Sequence, residues 1–292
     1  MDGLVQRCHG WQRAVIRFCQ RGKYTVVDSV LKKRRVACML VDNHIHAVAH
    51  GEYHYNYDWL RCFAQKAKTR GINEIGFSEH DEYLDRVNPE LLDDLGREYR
   101  HMKFRLGLEI DYIPGRQPFI RNLIADYPFD YVLGSVHFIE GWGFDHPDYM
   151  FRFEEMDIDK VYADYFDLVK EAVLSGLFDV ISHLDLIKVW GHRPRKQDVL
   201  YYAEPVLQCI KQTGQVIEIN SGGLRKPVAE FYPAAAIVKR MAELGIPITL
   251  GSDAHHPDQV GYKLYLAARM ARQAGYSHIV KFEKRQRELV SL

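Results

Sequence analysis

The sequence predicts a parallel α/β architecture, a closed (β/α)7 barrel in preference to an open doubly wound sheet. Three observations carry this. Seven short apolar runs recur along the chain, amphipathic stretches of helical period separate them, and glycines follow several of those stretches. The runs are 38–43, 74–78, 104–110, 131–136, 179–182, 216–220 and 246–251. Each is rich in Val, Ile, Leu or Phe, as a strand buried on both faces must be. Between them, 57–70 carries Leu60, Phe63, Ala64 and Ala67 on one face, and 158–175 carries Val161, Tyr165, Leu168, Val169 and Ala172. Segments 197–213 and 230–244 repeat the pattern. Gly71, Gly176, Gly214 and Gly245 stand just past helix ends, where a left-handed cap is cheapest for glycine. No G-x-G-x-x-G follows the first strand and no Walker A motif occurs, which weakens the open nucleotide-binding sheet.

Composition removes other classes. At 292 residues, 47% hydrophobic and 27% charged, the chain is long and apolar enough for a large core. The 39 basic and 39 acidic residues cancel, without the basic excess of a dedicated nucleic-acid binder. No apolar run approaches a membrane span, so neither a nucleic-acid nor a membrane partner is expected. Five cysteines without a CxxC pair argue against a disulfide scaffold or zinc ribbon.

The neutral total hides an asymmetry. Residues 1–38 hold nine basic residues and two acids, about +7, against about −7 for the remainder. This segment lacks the uninterrupted apolar stretch of a signal peptide; it is Arg-rich like a targeting peptide but poor in serine. We expect a basic extension over 1–38 that is not part of the fold, and one barrel domain over 39–292, with Met39 at its start. A cytoplasmic location is expected.

The 14 histidines concentrate the chemistry. The first strand ends in Asp42-Asn43-His44-Ile45-His46, the second in Ser78-Glu79-His80, and the third carries Glu109 and Asp111. The fourth ends at His137, the fifth in Ser182-His183-Leu184-Asp185, the sixth in Glu218-Ile219-Asn220, and the seventh in Ser252-Asp253-Ala254-His255. In a parallel barrel these ends open onto one face. Residues two apart on a strand share a side, so His44 pairs with His46 and Asp253 with His255. One His at a strand end is usually a hydrogen-bonded surface residue. Imidazoles and carboxylates at so many strand ends instead make a cage for divalent zinc, manganese or iron, with ligands for two or three ions. His54, His101, His146 and His278 read as surface residues, His9 lies in the basic segment, and His192 and His256 flank the site.

These residues bring a resemblance. The motifs H-I-H, F-S-E-H, G-L-E-I-D-Y-I-P-G, G-S-V-H-F, S-H-L-D-L-I-K, E-I-N-S-G-G-L-R-K-P and G-S-D-A-H, from Leu40 to about residue 290, resemble the PHP (polymerase and histidinol phosphatase) superfamily, in its histidinol-phosphatase branch. The resemblance implies a distorted, TIM-barrel-like (β/α)7 barrel and a trinuclear metal site. By motif, the first metal would take His44, His46, Glu109 and Asp253, and Glu109 would bridge to a second held by His137 and His183. The third would take His80, His255 and a ligand from the loop after His46. The sequence departs from the family spacing there, offering both His50 and Glu52, and both stay open. The implied activity is hydrolysis of a small phosphate monoester, histidinol phosphate, in histidine biosynthesis, with metals activating water. Asp253 and His255 are the candidate proton donors. Arg225 and Lys226, after paired glycines, and Arg193 are candidates to bind phosphate. Glu79, Asp81, Glu82 and Asp111 could pair with the substrate amine, and Tyr83, Tyr112 and Trp142 could wall the pocket. Two alternatives stand beside this: another phosphoesterase on the same scaffold, acting on a nucleotide or other small phosphate ester, and a non-catalytic PHP module. Oligomeric state is not legible in the sequence.

Overall fold

The computed structural model describes residues 40–292; the expectations for residues 1–38, and for Met39 as the domain start, lie outside them. The elements in chain order are β1 (Leu40–Ile45), α1 (Tyr57–Thr69), β2 (Ile72–Phe77), α2 (Glu90–Glu98), β3 (Lys103–Asp111), α3 (Gln117–Asp126) and β4 (Tyr131–Ser135). A small hairpin of β5 (Phe138–Ile139) and β6 (Trp142–Gly143) follows, then α4 (Arg152–Glu155), α5 (Ile158–Leu174) and β7 (Val180–Ile181). The chain continues through α6 (Val199–Thr213), β8 (Val216–Asn220), α7 (Ala235–Leu244), β9 (Ile248–Gly251), α8 (Leu264–Ala274), β10 (His278–Glu283) and β11 (Gln286–Ser291).

Seven strands pair in parallel in the order β1-β2-β3-β4-β7-β8-β9, one for each apolar run of the sequence. β1 and β9 close the ring through a short stretch at their C-terminal ends. His46 N donates to Ala254 O at 2.8 Å, and Ala254 N to His44 O at 3.2 Å. Below it, side chains replace the ladder. Asn43 Nδ2 donates to Thr249 Oγ1 at 2.9 Å, while the buried Asp42 carboxylate accepts from Ser252 N at 2.8 Å, Ser252 Oγ at 2.6 Å and Gly261 N at 2.7 Å. The barrel is nearly closed and irregular, as the resemblance implied.

The interior is filled, not hollow. Tyr131 crosses it from β4, and its hydroxyl donates to Asn43 O on β1 at 2.8 Å. The ring fits only because β2 and β3 carry glycine beside it: a Cβ on Gly76 would lie 1.9 Å from the Tyr131 hydroxyl, and one on Gly107 2.5 Å from Cζ. Beneath, Tyr131, Leu133, Val180 and Val216 pack against Val280 and Phe282 of the β10–β11 hairpin, which plugs the N-terminal end. Arg285 in the hairpin turn holds Asp179.

Three of the four helices the periodicity marks begin and end close to their expected bounds. The fourth starts at Ala235, not Glu230, because Tyr232 pairs with Asn220 as an antiparallel bridge and Pro233 disfavours helix for the residue before it. Helices α2, α3 and α8 were not anticipated. α3 buries only Ile120, and α8 buries Leu264 with three alanines. All four expected cap glycines adopt positive φ.

Because Tyr131 fills the space a Cβ at 107 would need, Gly107→Ala should destabilise the protein by about 1–3 kcal/mol through overpacking. Thermal denaturation would register this as a lowered Tm, and an unchanged Tm would show that the ring relaxes without cost.

Candidate metal centre

The barrel delivers its strand ends to one point, the buried carboxylate of Glu109 on β3. Glu109 Oε2 lies 3.1 Å from His44 Nε2, 3.2 Å from His46 Nε2 and 3.3 Å from His80 Nδ1. Its Oε1 lies 2.9 Å from His183 Nε2 and 3.8 Å from His137 Nε2, and accepts from Ser135 Oγ. Asp253 Oδ1 approaches His46 Nε2 at 3.5 Å and His44 Nε2 at 3.8 Å. His255 packs on His46 with ring centroids 4.4 Å apart. β1, β2, β3, β4, β7 and β9 all contribute, as the positional argument from the sequence required.

Around this layer lies another that orients it. Asp111 Oδ1 meets His137 Nδ1. Glu218 on β8 holds His44 Nδ1 at 2.8 Å with Oε1 and accepts from His183 N at 3.0 Å with Oε2. Sequence reasoning placed Glu218 at a strand end without a role. Its only signal was the Glu-x-Asn parity that turns both side chains to the same side as the other strand ends.

Electrostatics divides the imidazoles. Burial alone would push the Glu109 carboxyl up, but the charge on His44 and the hydrogen bond from His183 bring it well below the usual carboxylate range. Burial likewise opposes a charge on Asp253, and His44 and His46 overcome it. Burial also works against charge on His46, yet its contacts with Asp253 and Glu109 raise it to about 9; for His137 burial is outweighed chiefly by Asp111, to about 10. His80 is pushed well down and His255 down to about 3, by burial first and then by the charge on His46. A buried set of carboxylates requires nearby positive charge. Imidazolium protons supply it, and divalent cations compete for the same lone pairs.

The donor set fits such cations. His44 Nε2, both ring nitrogens of His46, His183 Nδ1 and His255 Nε2 are buried without a hydrogen-bond partner, a costly condition that a ligand relieves. Among the described residues, three groups bring their donor atoms within 4.8 Å of one another: His44, His46 and Asp253; His44, Glu109 and His183; and His46, His80 and His255.

The remaining sequence candidates divide. The His50 ring lies 5.6 Å from that of His80 and 4.7 Å from that of His255, while the Glu52 carboxylate turns back to accept from His50 N at 2.6 Å. Both line a cavity of about 390 Å³ with Arg225, Lys226, Asp253, His255 and His256. Arg225 Nη2 donates to Ser252 O at 2.9 Å and Asp253 O at 2.6 Å, over the ring of Tyr262, so this guanidinium grips backbone. It thereby holds Asp253, whose φ of 54° is left-handed. Arg193 is not brought to the cluster: it pairs with Glu230 at 2.7 Å and lines a second cavity with His192, which stacks on Phe153. Glu79 accepts from Ala47 N and Val48 N, Asp81 pairs with Arg116, and Asp111 serves His137, so three of the four acids considered for a substrate amine are engaged in protein contacts. Tyr112 and Trp142 are buried in packing rather than walling the pocket. His54, His101, His146 and His278 are exposed.

Fold and site together define a parallel βα barrel with a His/carboxylate metal-type centre at its strand C-termini. The PHP domain family model matches residues 58–222, and the chain belongs to that family. It is 36% identical over 254 residues to a probable histidinol-phosphatase of Deinococcus radiodurans, covering 81% of this chain and 94% of the relative. It is 26% identical to the histidinol-phosphatase of Bacillus subtilis over 262 residues, covering 76% and 95%. Its fold matches, at a TM-score of 0.70 and 20% identity, the histidinol phosphate phosphatase of Lactococcus lactis, crystallised with zinc, L-histidinol and phosphate; the match covers 85% of this chain and 98% of that one.

Arg225→Ala deletes a charged donor to two carbonyls of the Ser252–Asp253 turn. The expected loss is about 1.5–3 kcal/mol, read from the urea unfolding midpoint; an unaltered midpoint would mean the turn holds without it.

Proposed function

We propose that this chain is a metal-dependent histidinol-phosphatase, which hydrolyses histidinol phosphate to histidinol and phosphate in histidine biosynthesis. The observation that carries the chemistry is the convergence of five imidazoles on the single buried carboxylate of Glu109. The substrate is supported by full-length relatives that bear this name. Among the described residues no helix is long and apolar enough to cross a membrane, and we keep the cytoplasmic location.

Two or three divalent cations, zinc, manganese or iron, would be held by His44, His46 and Asp253, by His44, Glu109 and His183, and by His46, His80 and His255. His137 stands beside the second group through Glu109, and His50 beside the third; Glu52 is the weaker loop ligand because its carboxylate is bound to backbone. Such cations, when bound, polarise phosphoryl oxygens and lower the pKa of water. The chain's own residues do the rest. The barrel presents every ligand from a strand end, so the phosphoryl group meets a rigid surface with little reorganisation. Lys226, exposed on the cavity wall, supplies a positive charge free to follow the phosphate. Arg225 keeps Asp253 aimed at His44 and His46. Asp253 and His255 line the same cavity and are the groups placed to hand a proton to the leaving alkoxide.

The test is phosphate release by protein loaded with manganese or zinc, from histidinol phosphate, several nucleotide monophosphates and p-nitrophenyl phosphate, with His183→Ala as background. Histidinol phosphate should exceed the others in kcat/KM by about a hundredfold or more, because a pocket that pairs with polar groups rejects substrates lacking them. EDTA should abolish turnover. Equal slow turnover of all esters would overturn the substrate, and no turnover of any would overturn the chemistry.

A further inference from the structure

We propose that Glu218 is a positioning residue that sets the tautomer of His44 and ties two metal positions to each other. The proposal rests on the metal reading above and extends it to a group outside the ligand set.

Glu218 is buried on β8 and belongs to none of the three donor groups. Its Oε1 faces His44 Nδ1 at 2.8 Å, across 174 residues of chain. Its Oε2 accepts from the backbone N of His183 at 3.0 Å and from Asn220 Nδ2 at 3.0 Å. One carboxylate thus holds a ligand from β1 and the backbone beside β7. His44 belongs to two of the donor groups and His183 to one of those two, so the contacts of Glu218 fall on both.

The chemistry follows from donor counting. A carboxylate only accepts, so His44 Nδ1 carries a hydrogen toward Glu218, and Nε2 is left as the atom that gives a lone pair to a cation. Nε2 is the atom that faces Glu109 and Asp253 and lacks a hydrogen-bond partner. A ligating imidazole whose other nitrogen donates to a carboxylate is fixed in orientation and made more basic. The fold makes room for the contact. A Cβ on Gly251 would lie 1.8 Å from Glu218 Oε1 and 2.7 Å from His44 Cβ, so glycine at 251 is what lets this carboxylate reach the ring. Its distance from the phosphate-facing cavity, whose lining does not include it, makes this a role exerted through His44.

Glu218→Gln tests the tautomer directly. The amide has one accepting oxygen and one NH2. Oriented with its oxygen on His183 N and Asn220 Nδ2, which can only donate there, it turns its NH2 toward His44 Nδ1. The ring then accepts at Nδ1 and carries its hydrogen at Nε2, the atom needed for a cation. The expected results are loss of the Nδ1 hydrogen of His44, seen by nitrogen-15 NMR of chelator-treated protein, and zinc affinity lower by about 10–100-fold in competition with a chromophoric chelator. Asp111→Asn, whose side chain bonds His137 and not His44, should weaken zinc without altering the His44 ring. A variant that keeps the wild-type tautomer and binds zinc within about threefold of wild type overturns the proposal, even if its Tm falls, since lowered stability alone marks a structural role. If Glu218→Gln fails to fold, Asn220→Ala, which frees Oε2 from one donor, should lower zinc affinity about three- to tenfold; an unchanged isotherm there overturns the proposal equally. Wild-type protein that binds no zinc would instead defeat the metal reading itself.

Discussion

A single carboxylate, that of Glu109, organises this molecule. It is buried near the axis of a barrel, where an uncompensated charge would cost several kcal/mol. The fold answers by turning imidazoles toward it from four strands and a serine hydroxyl from β4. Each histidine in turn leaves a ring nitrogen that water does not reach or a partner must orient, which is why Asp111 and Glu218 stand behind His137 and His44. Removing the central charge would strip His44 and His46 of a partner that favours their charge, so these side chains and their supports form one unit and not a list of sites.

That unit depends on how the barrel is held shut. Backbone pairing between the first and last strands exists only near the mouth, where His44, His46 and Ala254 meet. Below, the Asp42 carboxylate substitutes for missing ladder bonds by accepting from Ser252 and Gly261. At the opposite end the β10–β11 hairpin seals the interior beneath Tyr131. The seam therefore runs directly under the residues that place Asp253, and Arg225 reinforces it by bonding the carbonyls of Ser252 and Asp253. Stability and site geometry are the same set of contacts there.

Much of the fold was legible because buried parallel strands advertise themselves. A run such as Val216–Asn220 is apolar on both faces except where Glu218 and Asn220 point inward, toward His44 and His183. Helices with strong apolar stripes were equally plain. α8, which packs through Leu264 and three alanines, and α3, which buries one side chain, were not read from the sequence. The misplaced start of α7 has a local cause in Pro233 and a distant one in the bridge between Tyr232 and Asn220.

By itself the sequence determined the strand count, the mouth of the barrel at which chemistry gathers, and the residue types that gather there, because strand parity and parallel direction leave no freedom in those. Only the tertiary structure decided that the His50 ring, and not the Glu52 carboxylate, faces His80 and His255, that Arg225 grips backbone while Arg193 turns to Glu230, and that Glu218 stands behind His44. These are choices among partners far apart in the chain and ångströms apart in space. Their physical basis is the distance and direction of one donor atom from one acceptor, which periodicity along a chain does not encode.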